Sequence, residues 1–142
     1  MPLKPGTLEV KTVVGSEHLA VGRLFAFGDA DGPRSAAKFQ HCLDVDYLDG
    51  KIYVADTYNH KIKVVDVKSG DTKTFAGNGK PGSGDSPAQF HEPAGLTHAK
   101  GKLYVADTNN HLIRTIDLAS GKVSTLTITG LDAAGPQAVA GQ

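Results

Sequence analysis

Gly50-Lys51-Ile52-Tyr53-Val54-Ala55-Asp56-Thr57-Tyr58-Asn59-His60 returns without a gap as Gly101-Lys102-Leu103-Tyr104-Val105-Ala106-Asp107-Thr108-Asn109-Asn110-His111, so that Asp56 lies over Asp107 at an offset of 51. The same offset carries Phe39 onto Phe90, Ile62 onto Ile113, Asp66 onto Asp117, Gly70 onto Gly121 and Thr74 onto Thr125. A register kept over so many positions marks an internal repeat. A period near fifty residues with several short strands per unit is the pattern of propeller blades, and no such unit covers its own faces without neighbours.

Turn chemistry and periodicity place four strands in each unit. The first covers residues 43–47, matched by 95–99, and the second 52–55, matched by 103–106. The second strand is apolar on both sides, as expected of a strand sandwiched between layers. The third, 62–67 and 113–118, is rich in β-branched residues and ends in Lys68-Ser69-Gly70-Asp71 or Ala119-Ser120-Gly121-Lys122, compositions typical of tight turns. The fourth covers 72–76 and 123–128. Ahead of the first unit, residues 7–15 read as a further fourth strand, because Thr12-Val13-Val14-Gly15 echoes Thr74-Phe75-Ala76-Gly77. A short helical turn fits around residues 16–24, and no other segment carries a capped helical stripe. The expected organisation is therefore all-β: a leading outer strand and linker over 1–27, one blade over 28–77, a second over 78–130, and an Ala-, Gly- and Pro-rich tail over 131–142 that reads as a flexible end.

Composition narrows the function. The 142 residues are 39% hydrophobic and 21% charged, which fits one soluble globular domain. Lysine plus arginine equals aspartate plus glutamate at 15 each, so no net field draws the chain to nucleic acid or an anionic membrane. The single cysteine, Cys42, excludes a disulfide framework or a CxxC motif within the chain. No stretch approaches the roughly 18 apolar residues of a membrane span and the start lacks a signal-type apolar region, so a cytoplasmic setting is expected.

The core from Tyr53 to His60 and from Tyr104 to His111, with Pro93-Ala94-Gly95-Leu96 ahead of the second copy, resembles the NHL repeat family. Phe25-Ala26-Phe27-Gly28-Asp29-Ala30-Asp31-Gly32 narrows the likeness to the last blades of NHL repeat proteins that carry an N-terminal thioredoxin-like domain, over about residues 20–128. The resemblance implies a six-bladed β-propeller in the parent protein, serving as a binding platform. One departure stands out: where the second unit has Pro93-Ala94-Gly95-Leu96, the first has Cys42-Leu43-Asp44-Val45. Asp44, a carboxylate near the start of the innermost strand, is thereby a candidate for lining a central channel, against the plainer role of a solvated loop end.

The signature residues Asp56, Asn59 and His60, with Asp107, Asn110 and His111, fall in the link between second and third strands, where short polar side chains hydrogen-bond the backbone of a turn. His60 and His111 hold equivalent positions and so belong to neighbouring blades. His41 and His91 precede the innermost strands and are the candidates for a metal, calcium or zinc in a channel, which needs several blades to contribute ligands. Gly77-Asn78-Gly79-Lys80-Pro81-Gly82 spells GxGxxG, but Ser83-Gly84-Asp85-Ser86-Pro87 follows where a dinucleotide site requires a helix. It reads as a blade-connecting loop. With the equivalent 28–37 loop it offers Asp29, Asp31, Arg34, Lys80 and Asp85 as contacts for another protein. There is no GxSxG elbow, and Cys42 and His41 point to opposite faces of a strand. Lys61, Lys63 and Arg114 are balanced by acids and lack interleaved aromatics, which argues against an RNA surface.

Two blades cannot close a ring, so something must cover their apolar faces. The expected function is a non-enzymatic interaction or ligand-binding module without a cofactor, its first partner a further copy of itself. Three two-blade chains would make six blades, with the leading strand available for exchange. The rival is a metal-dependent lyase or hydrolase with its site in the channel of an assembled ring.

Overall fold

A computed structural model describes residues 6, 8–15 and 26–130. Two four-stranded antiparallel sheets make up the fold, each a simple meander. The first blade contains β1 (Asp44–Leu48), β2 (Lys51–Asp56), β3 (Lys61–Asp66) and β4 (Thr72–Ala76). The second contains β5 (Pro93–Ala99), β6 (Lys102–Asp107), β7 (Leu112–Asp117) and β8 (Val123–Thr125).

The repeat of the sequence is a repeat of register. Tyr53 faces Val64 across β2 and β3, and Tyr104 faces Thr115 across β6 and β7. Leu48 pairs with Lys51 and Ala99 with Lys102, leaving two-residue connections whose residues all have positive φ: Asp49 and Gly50 at 48° and 78°, Lys100 and Gly101 at 49° and 75°. Such a turn twists in the same sense as the strands it joins, and a glycine at its second position removes most of the strain. Between β2 and β3 the chain makes a single 3-10 turn, Thr57–Asn59, and leaves it through His60 in the left-handed conformation; Thr108–Asn110 and His111 repeat this.

The core lies between the sheets. Tyr53, Ala55, Ile62 and Ala76 of the first blade pack on Leu103, Val105, Ile116 and Val123 of the second, with Phe90 wedged in from the segment ahead of β5. Each valine, leucine, isoleucine or phenylalanine here, fully removed from water, contributes about 1.5–3 kcal/mol. Gly77 closes the first blade against this layer. At φ +97° it runs so near the neighbouring backbone that a Cβ would lie 2.6 Å from the His60 carbonyl oxygen and 3.1 Å from the Phe90 ring.

Two expectations need correcting. The leading strand expected over 7–15 is not seen in its described part: of residues 8–15 none belongs to a ladder. A strand needs an edge to pair with, and the first blade already has β4 as its outer strand. The segment is held instead by Gly15 N donating to Arg34 O at 2.9 Å. The last strand also stops short, at Thr125 rather than residue 128, with one further bond from Leu126 N to Ile113 O. The helical turn expected at 16–24 and the 131–142 tail lie outside the described residues, apart from which no helix is long and apolar enough to cross a membrane.

Candidate interaction surface

Each blade is held internally by one buried cation. Lys63 and Arg114 occupy the same position of β3 and β7, with 0% exposed side chains. Lys63 Nζ donates to Lys38 O at 2.9 Å and lies 3.3 Å from Asp56, 2.9 Å from Asp29 and 3.6 Å from Asp31. Arg114 spans the same site with its fork: Nη1 reaches Gln89 O and Asp107, Nη2 reaches Gly84 O and Asp85. Burial alone would drive a proton off Lys63, but Asp29 and Asp56 outweigh it and its pKa rises. Burial likewise works to raise the Asp29 carboxyl, and hydrogen bonds and charge from Lys61 and Lys63 overturn this, leaving it below the ordinary range.

The signature aspartates grip the backbone leading into the inner strand. Gln40 N donates to Asp56 at 2.7 Å and His91 N to Asp107 at 2.8 Å. Asn59 and Asn110 donate back to these carboxylates and to Gly28 O and Gly82 O. The sequence marked the aspartates and asparagines but not the cation they surround. Its one signal was that the offset sets a lysine on an arginine in the middle of β-branched third strands.

The loop carboxylates offered for partner contact are paired with strand cations and stay exposed, their side chains 35%, 43% and 50% accessible for Asp29, Asp31 and Asp85. Asp29, Asp31 and Asp85 are engaged with Lys61, Lys63 and Arg114, and Asp31 also accepts from Thr74 N. Arg34 and Lys80 are exposed; Arg34 donates to Thr12 O at 3.4 Å, and the Lys80 backbone N–H donates to Asn78.

Asp44 lies at the junction of the two blades. Its Oδ2 accepts from Leu96 N at 2.7 Å, while Asp46, two residues along the same face of β1, meets His98 Nδ1 at 2.7 Å. Thr57 Oγ1 donates to Pro93 O at 2.8 Å, and Glu92 N donates to His60 Nδ1 at 3.1 Å. His60 also meets the His91 ring, centroids 5.5 Å apart, so it contacts the next blade's lead-in instead of standing apart. Burial, then His91, lowers its pKa against the opposing pull of Glu92 and Asp107. His41 stacks on Tyr58 at 4.3 Å. Among the described residues no three His, Cys, Asp or Glu side chains group so as to hold a metal. Cys42 is an exposed residue, but its sulfur sits 4.0 Å from Asp56 Oδ1; burial of the thiol, then Asp56, push its pKa up to about 12.

What remains open is apolar. Ile62 is 0% exposed against the second blade, whereas Ile113, its equivalent, is 41% exposed on the far side of the pair. At the opposite end Val45 and Tyr47 of β1 stand 58% and 62% exposed beside a groove formed with Phe39, Ile52, Val54 and Val14. These are the two ends of a stack whose middle is closed.

Antiparallel four-stranded meanders stacked face to face at a fixed repeat make this a repeat protein of the β-propeller class. The chain belongs to the NHL repeat family: the NHL repeat model matches residues 39–65 and 90–116. It is 47% identical over 134 residues to NHL repeat-containing protein 2 of Homo sapiens, and 46% identical over 138 residues to Protein SUPPRESSOR OF QUENCHING 1, chloroplastic, of Arabidopsis thaliana. These alignments take in 89% and 87% of this chain but only 18% and 13% of the relatives, so the chain spans less than a fifth of their length. A crystal structure of a candidate phosphatase from Bacteroides thetaiotaomicron superposes with a TM-score of 0.60 over 82% of this chain and 27% of that one, at 22% identity. That likeness concerns the fold.

Proposed function

We propose that the chain is a non-enzymatic interaction module: a pair of propeller blades that joins further blades through its two apolar end faces. The observation that carries this reading is the contrast between Ile62, sealed at the internal junction, and Ile113, open at the end of the stack. Apolar patches left uncovered at the ends of a repeat array mark sites of association. The ion pairs of Asp29, Asp31 and Asp85 with Lys63 and Arg114 also favour it, because they tie those loops to the strands of their own blades. Arg34 and Lys80 are then the loop positions left for contacts with other proteins in a cytoplasmic setting, with no cofactor.

An environment-sensitive apolar dye tests the reading on dilute protein. The chain should enhance its fluorescence, and replacing Val45 and Ile113 together by lysine should remove most of that signal with the circular dichroism unchanged. A folded chain that binds no dye would sink the proposal.

A further inference from the structure

We infer that copies of this chain associate head to tail, the open face of the second blade of one copy docking on the open face of the first blade of the next. The inference rests on the reading of the end faces just given and adds the occupant and the direction. The internal junction is the template. There, Tyr53, Ala55 and Ile62 meet Leu103, Val105 and Ile116. At the repeat offset the first three become Tyr104, Ala106 and Ile113, and the last three are the repeats of Ile52, Val54 and Val65. Each chain therefore carries a second copy of both halves of an interface it has already formed once: Ile113 of the one is 41% exposed, while in the other Val54 and Val65, at 5% and 0% exposed, lie under a groove that Val14 and Phe39 also line.

A second observation comes from residues 12–15. Gly15 and Gly77 have φ of 98° and 97°, and each follows the last residue of an outer-strand motif. Val14 lies in the groove with Phe39, Ile52 and Val54, as Ala76 lies in the core with Phe90, Leu103 and Val105. The open face of the first blade thus already receives the outer-strand residue of a preceding blade. A Cβ on Gly77 would meet His60, Lys61 and Phe90, whereas one on Gly15 would meet none of the described residues within 4 Å. In a continued stack the rest of that blade would stand beside Val14, and an incoming second blade supplies it as its own outer strand takes the place of Val14. Asp44 and Asp46 are replaced at the offset by Gly95 and Thr97, so the contact between copies lacks both carboxylate links and is the weaker junction.

Unlike faces leave a specific signature. Sedimentation of the full chain should show a mass that rises with concentration past the dimer. Val45→Arg and Ile113→Arg, at positions 58% and 41% exposed, should each leave folded monomers. An equimolar mixture of the two should form dimers and nothing larger, because one intact face survives on each. A wild-type chain that stays monomeric while still binding the apolar dye would overturn this inference and leave the functional reading standing. A mixture that stays monomeric, or single variants that assemble as the wild type does, would overturn it equally.

Discussion

Lys63 Nζ lies 3.3 Å from Asp56 Oδ2 with both side chains wholly buried, and Arg114 Nη1 lies 3.0 Å from Asp107 Oδ2 in the same setting one blade later. A cation in a β-sheet interior is tolerable only with its charge answered and most of its protons taken up: carboxylates and the Lys38 carbonyl do so for Lys63, and carboxylates with the Gln89 and Gly84 carbonyls take the Arg114 Nη protons, leaving Nε buried without a partner among the described residues. Removing one side of such a pair leaves the other charge buried. Arg114→Met should accordingly destabilise the chain by about 3–5 kcal/mol in urea unfolding, the range for breaking a buried pair. Lys63→Arg, which keeps the charge, should cost less than Lys63→Met.

Asp44 is the acceptor for Leu96 N across the blade junction. With alanine there, a part-buried N–H loses its partner, which costs about 1–3 kcal/mol. Asp44→Asn keeps an acceptor oxygen and should recover much of that loss. Amide exchange at Leu96 is the local readout: it should quicken in the alanine variant and stay near wild type in the asparagine one.

The same aliphatic side chain has two values in this fold. Ile62→Ala opens a cavity at the internal junction and should cost about 2–5 kcal/mol. Ile113→Ala, 41% exposed, should cost well under half as much in dilute protein. Equal losses by urea unfolding would show that the end face is covered in the isolated chain.

His60 Nδ1 accepts from Glu92 N, a bond that requires an unprotonated nitrogen. Its folded-state pKa is lowered from 6.5, first by burial and then by His91. Between that lowered value and 6.5 the unfolded chain binds more protons than the folded one, so stability rises with pH. The contribution is present in full above 6.5 and is lost as the pH falls through the folded-state pKa. Melting temperatures measured from pH 7.5 downward should drop through this window, and His60→Gln should flatten that part of the profile.

Burial and Asp56 hold the Cys42 thiol protonated, with a pKa of about 12. A thiol without thiolate is a poor nucleophile. Iodoacetamide at neutral pH should alkylate the folded chain much more slowly than the urea-unfolded one; similar rates would place the sulfur in open solvent.

The sequence determined the blades. Strand identity, the two-residue turns and the register are local matters, decided by β-branched runs, by Asp-Gly and Lys-Gly pairs and by the repeat of the Asp-Thr-x-Asn-His stretch, so they are legible along the chain. Where a side chain ends up relative to another blade is not local. Lys63 reads only as a basic position balanced by acids, since nothing nearby in sequence reveals that Asp29, Asp31 and Asp56 are the ones that converge on it. Asp44 reads as an odd residue in a broken motif because its partner, Leu96, belongs to the next unit. Residues 12–14 match an outer strand in sequence and form none; the segment is held by the Gly15 N–H on Arg34 O and by Val14 in the groove of the first blade. The repeat made Ile62 and Ile113 equivalent, and only the stacking of one blade on the other separated them, since burial depends on which face has a neighbour.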